Sequence, residues 1–461
     1  MSVPSVLNFE QTREKSDMNV DTSILDPVIN TATNCRFVIP NKGILHSKTT
    51  MINIGVKCTG EGANKHTVFL PLVNGVYSMI DRAVLKIGTK IIGEIKDLNY
   101  WMSYYSGLLH PRVVRQEEQV LTGRGLAYGV TPYATSDTSQ FANLNNGYSF
   151  SSFQANGMAD EQTDDFDYFV PDYNNMLNTT DNITQYQISL KELFPILDSY
   201  MLPLYLMKEQ ISIELFYTKN ADHTCIDTLE NTTKTAVVAI DQPSIFMVID
   251  YIYYNEAKMM MLRESFLGSE AGSMPYTEQQ LVTSSIPTDA SGLAFNRNMG
   301  GAGRLVEKLM SMNNPIKTDD QKMNSVLNAY ASTCPDAFTL TYNLVYNDER
   351  LFPINVSNIA HVASNLKYAE RMPLYVPVSQ FNNNVMGGAV QKVSGLSVDA
   401  MDGQRFYITT LLQKNRRINS RGIQMLQNAS FNTAPVINRS WMEIHKMYVL
   451  DRNGYVEINY V

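Results

Sequence analysis

The chain has 461 residues, of which 44% are hydrophobic and only 18% charged, and its formal net charge is −8. That apolar content fills real cores and excludes a disordered chain, while the length predicts two or three domains of ordinary size. The negative balance argues against a global nucleic-acid binder, whose affinity would come from phosphate neutralisation.

A weakly charged surface suits subunits that pack on one another better than a free monomer. Cys35, Cys58, Cys225 and Cys334 form no CxxC pair, so neither a zinc site nor a disulfide framework is expected, which fits assembly in a reducing compartment. The opening segment has no apolar core behind a basic end, so no signal peptide is expected. No run approaches the roughly 18 apolar residues of a spanning helix. N-x-S/T triplets at Asn178, Asn231, Asn355 and Asn438 read as by-products of Asn and Thr abundance rather than glycan sites.

Taken in order, residues 1–33 are polar and weakly patterned and read as an N-terminal arm. "CRFVIPNKGILHSKTTMINIGVKC" then holds two strands around the turn signal "PNKG". In the second, Met51, Asn53 and Gly55 oppose Ile52, Ile54 and Val56, because strand side chains alternate. Val84, Leu85, Ile87, Ile91, Ile92 and Ile95, split by Gly88 and Gly93, predict a short hairpin. Leu98, Trp101, Met102 and Tyr105 share one face of a helix predicted over 98–109, a stripe expected to pack in the core.

From about 120 to 182 the chain is rich in Gly, Ser, Thr, Asn and Asp with scattered aromatics, a loop long enough to cover or project something. Its acidic piece "DEQTDDFDYF" lacks the glycine turn and ligand spacing of a calcium loop. Strands resume at "YQISLKELFPIL", at "QISIELFYT" and at "SIFMVIDYIYYN". In "QISIELFYT", Ile211, Ile213, Leu215 and Tyr217 oppose Ser212, Glu214, Phe216 and Thr218, the pattern of a half-buried strand. After "EAKMMMLRESFLGSE" the pattern starts again and runs to the C-terminus. In "FTLTYNLVY", Phe338, Leu340, Tyr342, Leu344 and Tyr346 alternate with polar residues. The closing "DRNGY" predicts a hairpin turn with positive φ at both Asn453 and Gly454. The parse is all-β, with a few short helices: an arm over 1–33, a first β domain over 34–256 that carries the 120–182 loop, and a second over 257–461.

Chemistry is absent from this pattern. His46, His66, His110, His223, His361 and His445 show no HxxxH or HExxH spacing. There is no GxSxG elbow, and "NMGGAGRLVEK" lacks the lysine and hydroxyl of a phosphate loop, so it reads as a turn before a strand. Paired carboxylates for glycoside hydrolysis meet in space rather than in sequence and stay open. No catalytic residue, metal ligand or cofactor is assigned. The basic cluster Lys414, Arg416, Arg417 and Arg421 reads as a solvated loop face, with nucleic acid or an acidic partner as the other reading.

"RFVIPNKGILHSKTTMINIGV", followed by "GVYSMIDRAVLKIGTKIIGEIKDLNYW", resembles the opening of double jelly-roll major capsid proteins, nearest in appearance to those of polinton-like viruses and virophages. "LPLYLMKEQISIELFY", "YNLVYNDERLFPINVSN" and "YVLDRNGYVEINYV" are similar to segments of the same family. The resemblance spans most of the chain in order, although no single motif is diagnostic. It implies two consecutive eight-stranded antiparallel jelly rolls in one chain. It also implies a homotrimer shaped as a pseudo-hexameric capsomer, which meets neighbouring capsomers, penton and minor capsid proteins in the icosahedral shell of a double-stranded DNA virus. In many relatives an internal lipid membrane lies beneath. Location in the virion, assembly inside the host cell and no sequence-specific nucleic-acid binding follow from the same resemblance. The loop aromatics Tyr128, Tyr133, Phe141, Tyr148, Phe150, Phe166, Tyr168, Phe169 and Tyr173 would anchor subunit contacts or pack on their own domain. The alternative is a carbohydrate-binding or spike jelly roll, since loop aromatics also stack on sugars.

Overall fold

A computed structural model describes residues 18–59, 68–70, 74–102, 121–123, 176–177, 183–223, 225–226, 237–268, 272–286, 289–316, 341–351, 355, 407–411, 416–431 and 436–461. Two sets of eight strands account for most of them. The first set is β1 (Asn19–Leu25), β2 (Asn34–Ile39), β3 (Met51–Thr59), β4 (Ile80–Ile87), β5 (Lys90–Lys96), β6 (Thr184–Ser189), β7 (Ile211–Tyr217) and β8 (Val237–Tyr253). The second is β9 (Ser273–Ile286), β10 (Asp289–Gly300), β11 (Val306–Pro315), β12 (Thr341–Tyr346), β13 (Glu349–Arg350), β14 (Tyr407–Leu411), β15 (Ile423–Phe431) and β16 (Val436–Leu450). A last strand, β17 (Val456–Tyr460), pairs with the end of β16.

The hydrogen-bonded orders are β1-β8-β3-β6 and β2-β7-β4-β5, then β9-β16-β11-β14 and β10-β15-β12-β13. Each set therefore winds identically. Strands one, eight, three and six make one sheet, and two, seven, four and five make the other. Two antiparallel sheets wound this way form a jelly roll. The helix Glu256–Gly268 joins the two rolls.

The alternation read from the sequence decides which face is inside. Ile52, Ile54 and Val56 of β3 are fully buried, as are Ile211, Ile213 and Leu215 of β7. They meet Phe37, Leu85, Ile87 and Ile249 in one core cluster between the sheets. Burying such side chains contributes roughly 1.5–3 kcal/mol each. The other face of β7 is not simply wet: Ser212 is 2% exposed. Glu214 on that face is held by Lys86 at 2.7 Å and Arg36 at 3.5 Å. The second roll has its own interior of Met299, Val306, Leu309, Leu344, Ile423, Met425, Met442 and Ile444.

Three expectations change. The segment read as an arm contains β1, which pairs along its length with β8, so the first roll begins well before residue 34. "LKELFPIL" is not strand: Leu190–Leu193 and Pro195–Ser199 are short helices, the second opened by a proline whose missing N–H costs nothing there. At the closing hairpin only Gly454 has positive φ. Gly454 N donates to Asp451 O, and the Asp451 carboxylate caps Asn453 N and Tyr455 N, a longer loop ending on a left-handed glycine. The turn with positive φ at both central residues is Asn347–Asp348, between β12 and β13. Of the 98–109 helix, 98–102 is helical, with Leu98, Trp101 and Met102 buried as expected; the remainder, Tyr105 included, and the 120–182 loop outside residues 121–123, 176–177 and 183 onward lie outside the described residues.

Gly454 shows how tightly the second roll meets the first. Its φ is 83°, its carbonyl accepts Lys208 N at 2.9 Å, and an added Cβ would collide with Leu206 O. Gly303, with φ 72°, has nothing within 4 Å of its Cβ position. Gly303→Ala is expected to cost about 1 kcal/mol of backbone strain and Gly454→Ala at least about 2 kcal/mol, measured by denaturant unfolding. Equal costs would mean that the Leu206 contact is not rigid.

Candidate functional site

The functional feature that the fold builds is a seam. One face of the β9-β16-β11-β14 sheet lines the interior of the second roll, and the other packs on the first roll. Residues 438–442 of β16 are consequently buried without a break. Met442 and Ile444 point into their own roll, whereas Trp441 joins the core of the first. Trp441 meets Trp101 edge-on, with ring centroids 5.6 Å apart and planes at 61°, and its indole N–H donates to Lys96 O at 3.3 Å. Such an aromatic pair contributes about 0.5–1.5 kcal/mol beyond the area it buries.

Arg439, one turn of the pleat away, reaches Asp97 just after β5. Its Nε lies 2.7 Å from Asp97 Oδ2, its Nη1 donates to Asn314 Oδ1 at 3.1 Å, and its guanidinium stacks 3.6 Å above the Tyr100 ring. Further along, Tyr276 Oη donates to Ile92 O at 2.7 Å and Tyr200 Oη to Pro275 O at 2.8 Å. The strand edges β5 and β9, one from each roll, are thereby shielded by each other, and an unshielded edge is a template for uncontrolled pairing. Burial raises the Glu278 carboxyl above its ordinary range although Lys446 pairs with it.

The residues singled out from the sequence do not converge. His46 contacts Thr49, and His445 lies 3.1 Å from Glu307. His223 is fully buried, with Nδ1 unpartnered, and desolvation pushes its pKa down to about 3. His66, His110 and His361 lie outside the described residues, as do the loop aromatics that the sugar-binding reading rests on. Among the described residues no three His, Cys, Asp or Glu side chains group as a metal site. Nor is any helix among them long and apolar enough to cross a membrane. Cys35 and Cys58 are free and buried, their thiols pushed up to about 11 by desolvation. Asn438 is fully buried and bonded to Ser311 and Ser440 in the second roll, so its triplet is a packing motif. In the basic cluster Arg421 pairs with Asp348, Arg416 and Arg417 are exposed, and Lys414 lies outside the described residues. "NMGGAGRLVEK" is a turn into β11, with positive φ at Gly300, Gly301 and Gly303. The cleft by the linker helix, about 620 Å³ and lined by Met260, Arg263, Glu264, Leu267 and Arg452, gathers no acid–base or nucleophilic arrangement.

Arg439 and Asp97 were not singled out from the sequence. Arg439 sits in a stretch of β16 that alternates poorly because residues 438–442 are all buried, and Asp97 follows β5 as an ordinary polar residue.

Solved structures share this architecture. A chain in the structure of the Sputnik virophage superposes with a TM-score of 0.61 over 96% of this chain and 88% of its own, at 12% identity. The mavirus major capsid protein matches with a TM-score of 0.52 over 100% and 91%, at 8% identity. The Faustovirus major capsid protein matches with 0.50 over 94% and 90%, at 10% identity. This chain is a double jelly roll with the fold of those capsid proteins. No protein-family model matches its sequence, and no curated protein sequence matches it either. The double roll keeps its winding at identities this low because burial pattern, not residue identity, specifies it.

Two outcomes follow for the double roll. Arg439→Leu is expected to cost about 3 kcal/mol, with a coupling of about 1–2 kcal/mol to Asp97→Asn in a double-mutant cycle; Arg421→Leu at the exposed Asp348 pair changes stability by less than about 1 kcal/mol. His223 binds its proton in the unfolded chain near pH 6.5 but in the folded chain only near 3. Stability is therefore lost as pH falls below about 6.5, with a limiting slope of about 1.4 kcal/mol per pH unit down to about 3. His223→Gln should remove that share of the slope between pH 6 and 4, read as the difference from wild type in urea unfolding.

Proposed function

We propose that this chain is a major capsid protein, three copies of which close into a pseudo-hexameric capsomer of an icosahedral shell around double-stranded DNA. The observation that carries the reading is the repeated winding: two rolls of identical strand order, side by side and joined along an apolar seam, give a single chain two near-equivalent faces. Three such chains in a ring present six rolls, and a closed ring leaves no subunit edge without a neighbour. The low charge of the chain suits this fate, because obligate interfaces exclude charge from their centres. The likeness to the mavirus and Faustovirus major capsid proteins supports the same reading.

In this function the protein holds no catalytic site. It would act in the virion, after assembly inside the host cell, and its partners would be sister subunits, neighbouring capsomers, and penton and minor capsid proteins, with a lipid membrane beneath the shell in the manner of many relatives. The two domains would be the first roll with its 120–182 loop and the second roll from 257 onward. Light scattering during size exclusion tests the assembly, with negative-stain images of the same peak. A mass three times that of the chain and six-sided particles are expected; a monomer at micromolar concentration contradicts the capsomer.

A further inference from the structure

The first roll buries one imidazole that its packing leaves without a polar partner. His223 ends a single helical turn, Asn220–His223, in the connection between β7 and β8. The side chain is buried and its Nδ1 has no hydrogen-bond partner. The turn packs on the 3-10 helix Gly75–Met79 and on β8. Gly75–Met79 carries no charge, and its one titratable group, Tyr77, donates its hydroxyl to Glu192. On β8 the titratable groups are Asp241, Asp250, Tyr251 and Tyr253, and both carboxylates are engaged, by Ser244 and by Thr22. On the turn itself Asp222 precedes His223 and interacts with Asp81 of β4 rather than with the imidazole. Desolvation alone therefore keeps His223 neutral.

The position of the turn gives that burial a consequence. Two residues beyond His223, Cys225–Ile226 pairs with Val68–Phe69, which pairs in turn with Met176–Leu177. These three short strands come from the β7–β8, β3–β4 and β5–β6 connections, so one small sheet clasps three connections of the first roll together. Strands of two residues and a helix of one turn hold little stability of their own, and such elements open locally before a domain unfolds.

We propose that His223 is the latch of an acid-operated clasp. Protonation drives the Asn220–His223 turn off Gly75–Met79 and β8 and frees Cys225–Ile226 from the small sheet, so that the three connections part while both rolls stay folded. An imidazolium cannot stay in a site that offers it neither water nor a counter-charge, whereas the opened turn is solvated. The exposed ring takes its proton near pH 6.5 and the buried ring only near 3. Opening is therefore favoured as pH falls through 6.5, by about tenfold per pH unit, or about thirtyfold between pH 7.5 and pH 5. This opening is local, unlike the loss of global stability described above, and it does not depend on the capsomer reading.

Hydrogen exchange of the intact protein, read peptide by peptide by mass spectrometry at pH 7.5 and pH 5 and corrected for intrinsic rates, tests the clasp. Protection of the peptide that carries Asn220–His223 and Cys225–Ile226 should fall about thirtyfold on acidification, while β7 keeps its own. His223→Gln should abolish the fall; where that variant does not fold, His223→Phe, whose ring suits a buried site, takes its place. Unchanged protection of the wild-type peptide at pH 5 overturns the proposal. A fall that survives in the variant also overturns it, because the carboxylates Asp81 and Asp222 would then carry the response. A parallel fall in β7 overturns it as well, since the whole roll would then be opening.

Discussion

Burial of both faces of β16 is the constraint on which the molecule depends. A jelly-roll sheet needs one covered face, and here the eighth strand of the second roll has two. Met442 and Ile444 fill their own roll, and Trp441 with Arg439 is committed to the other. Neither roll can move without exposing the Trp101–Trp441 pair and leaving a carboxylate and a guanidinium partly desolvated and unpaired. The rolls are therefore one rigid block, and their relative placement is set by packing rather than by the linker helix.

Rigidity of that kind suits the proposed capsomer, whose contacts would have to recur at fixed angles, so that a hinge between the rolls would blur each of them. The Gly454 turn adds a second tie, its carbonyl bonded to Lys208 N and its bare Cα against Leu206 O. Two hydroxyls within the seam are paired in the same spirit. Tyr276 and Tyr200 spend their hydroxyls on backbone carbonyls at the joint, which satisfies edges that no ladder reaches.

How much of this was legible in the sequence depended on how regularly apolar residues recur along each strand. Ile52, Ile54 and Val56 recur at every second residue and are fully buried, although Asn53 and Gly55 between them are buried too. Leu98, Trp101 and Met102 showed their helical stripe in the same way. β16 did not, because "NRSWMEI" mixes a polar network on Asn438 and Ser440 with Arg439 and Trp441 at the seam. β1 was taken for arm because an edge strand exposed on both faces has no apolar period to find. The turns were misjudged for a local reason. Asn453-Gly454 has the composition of a two-residue turn, but the Asp451 carboxylate captures two amides and lengthens the loop. Winding order and the seam itself arise from long-range pairing, which a periodicity cannot encode.

Scanning calorimetry of the purified protein tests the central claim, that the two rolls unfold as a single unit through a shared core, most directly. The account predicts one endotherm whose calorimetric and van't Hoff enthalpies agree for each cooperative unit, with Trp441→Ala lowering it as a whole. Two resolved transitions in the wild type, one for each roll, would contradict it.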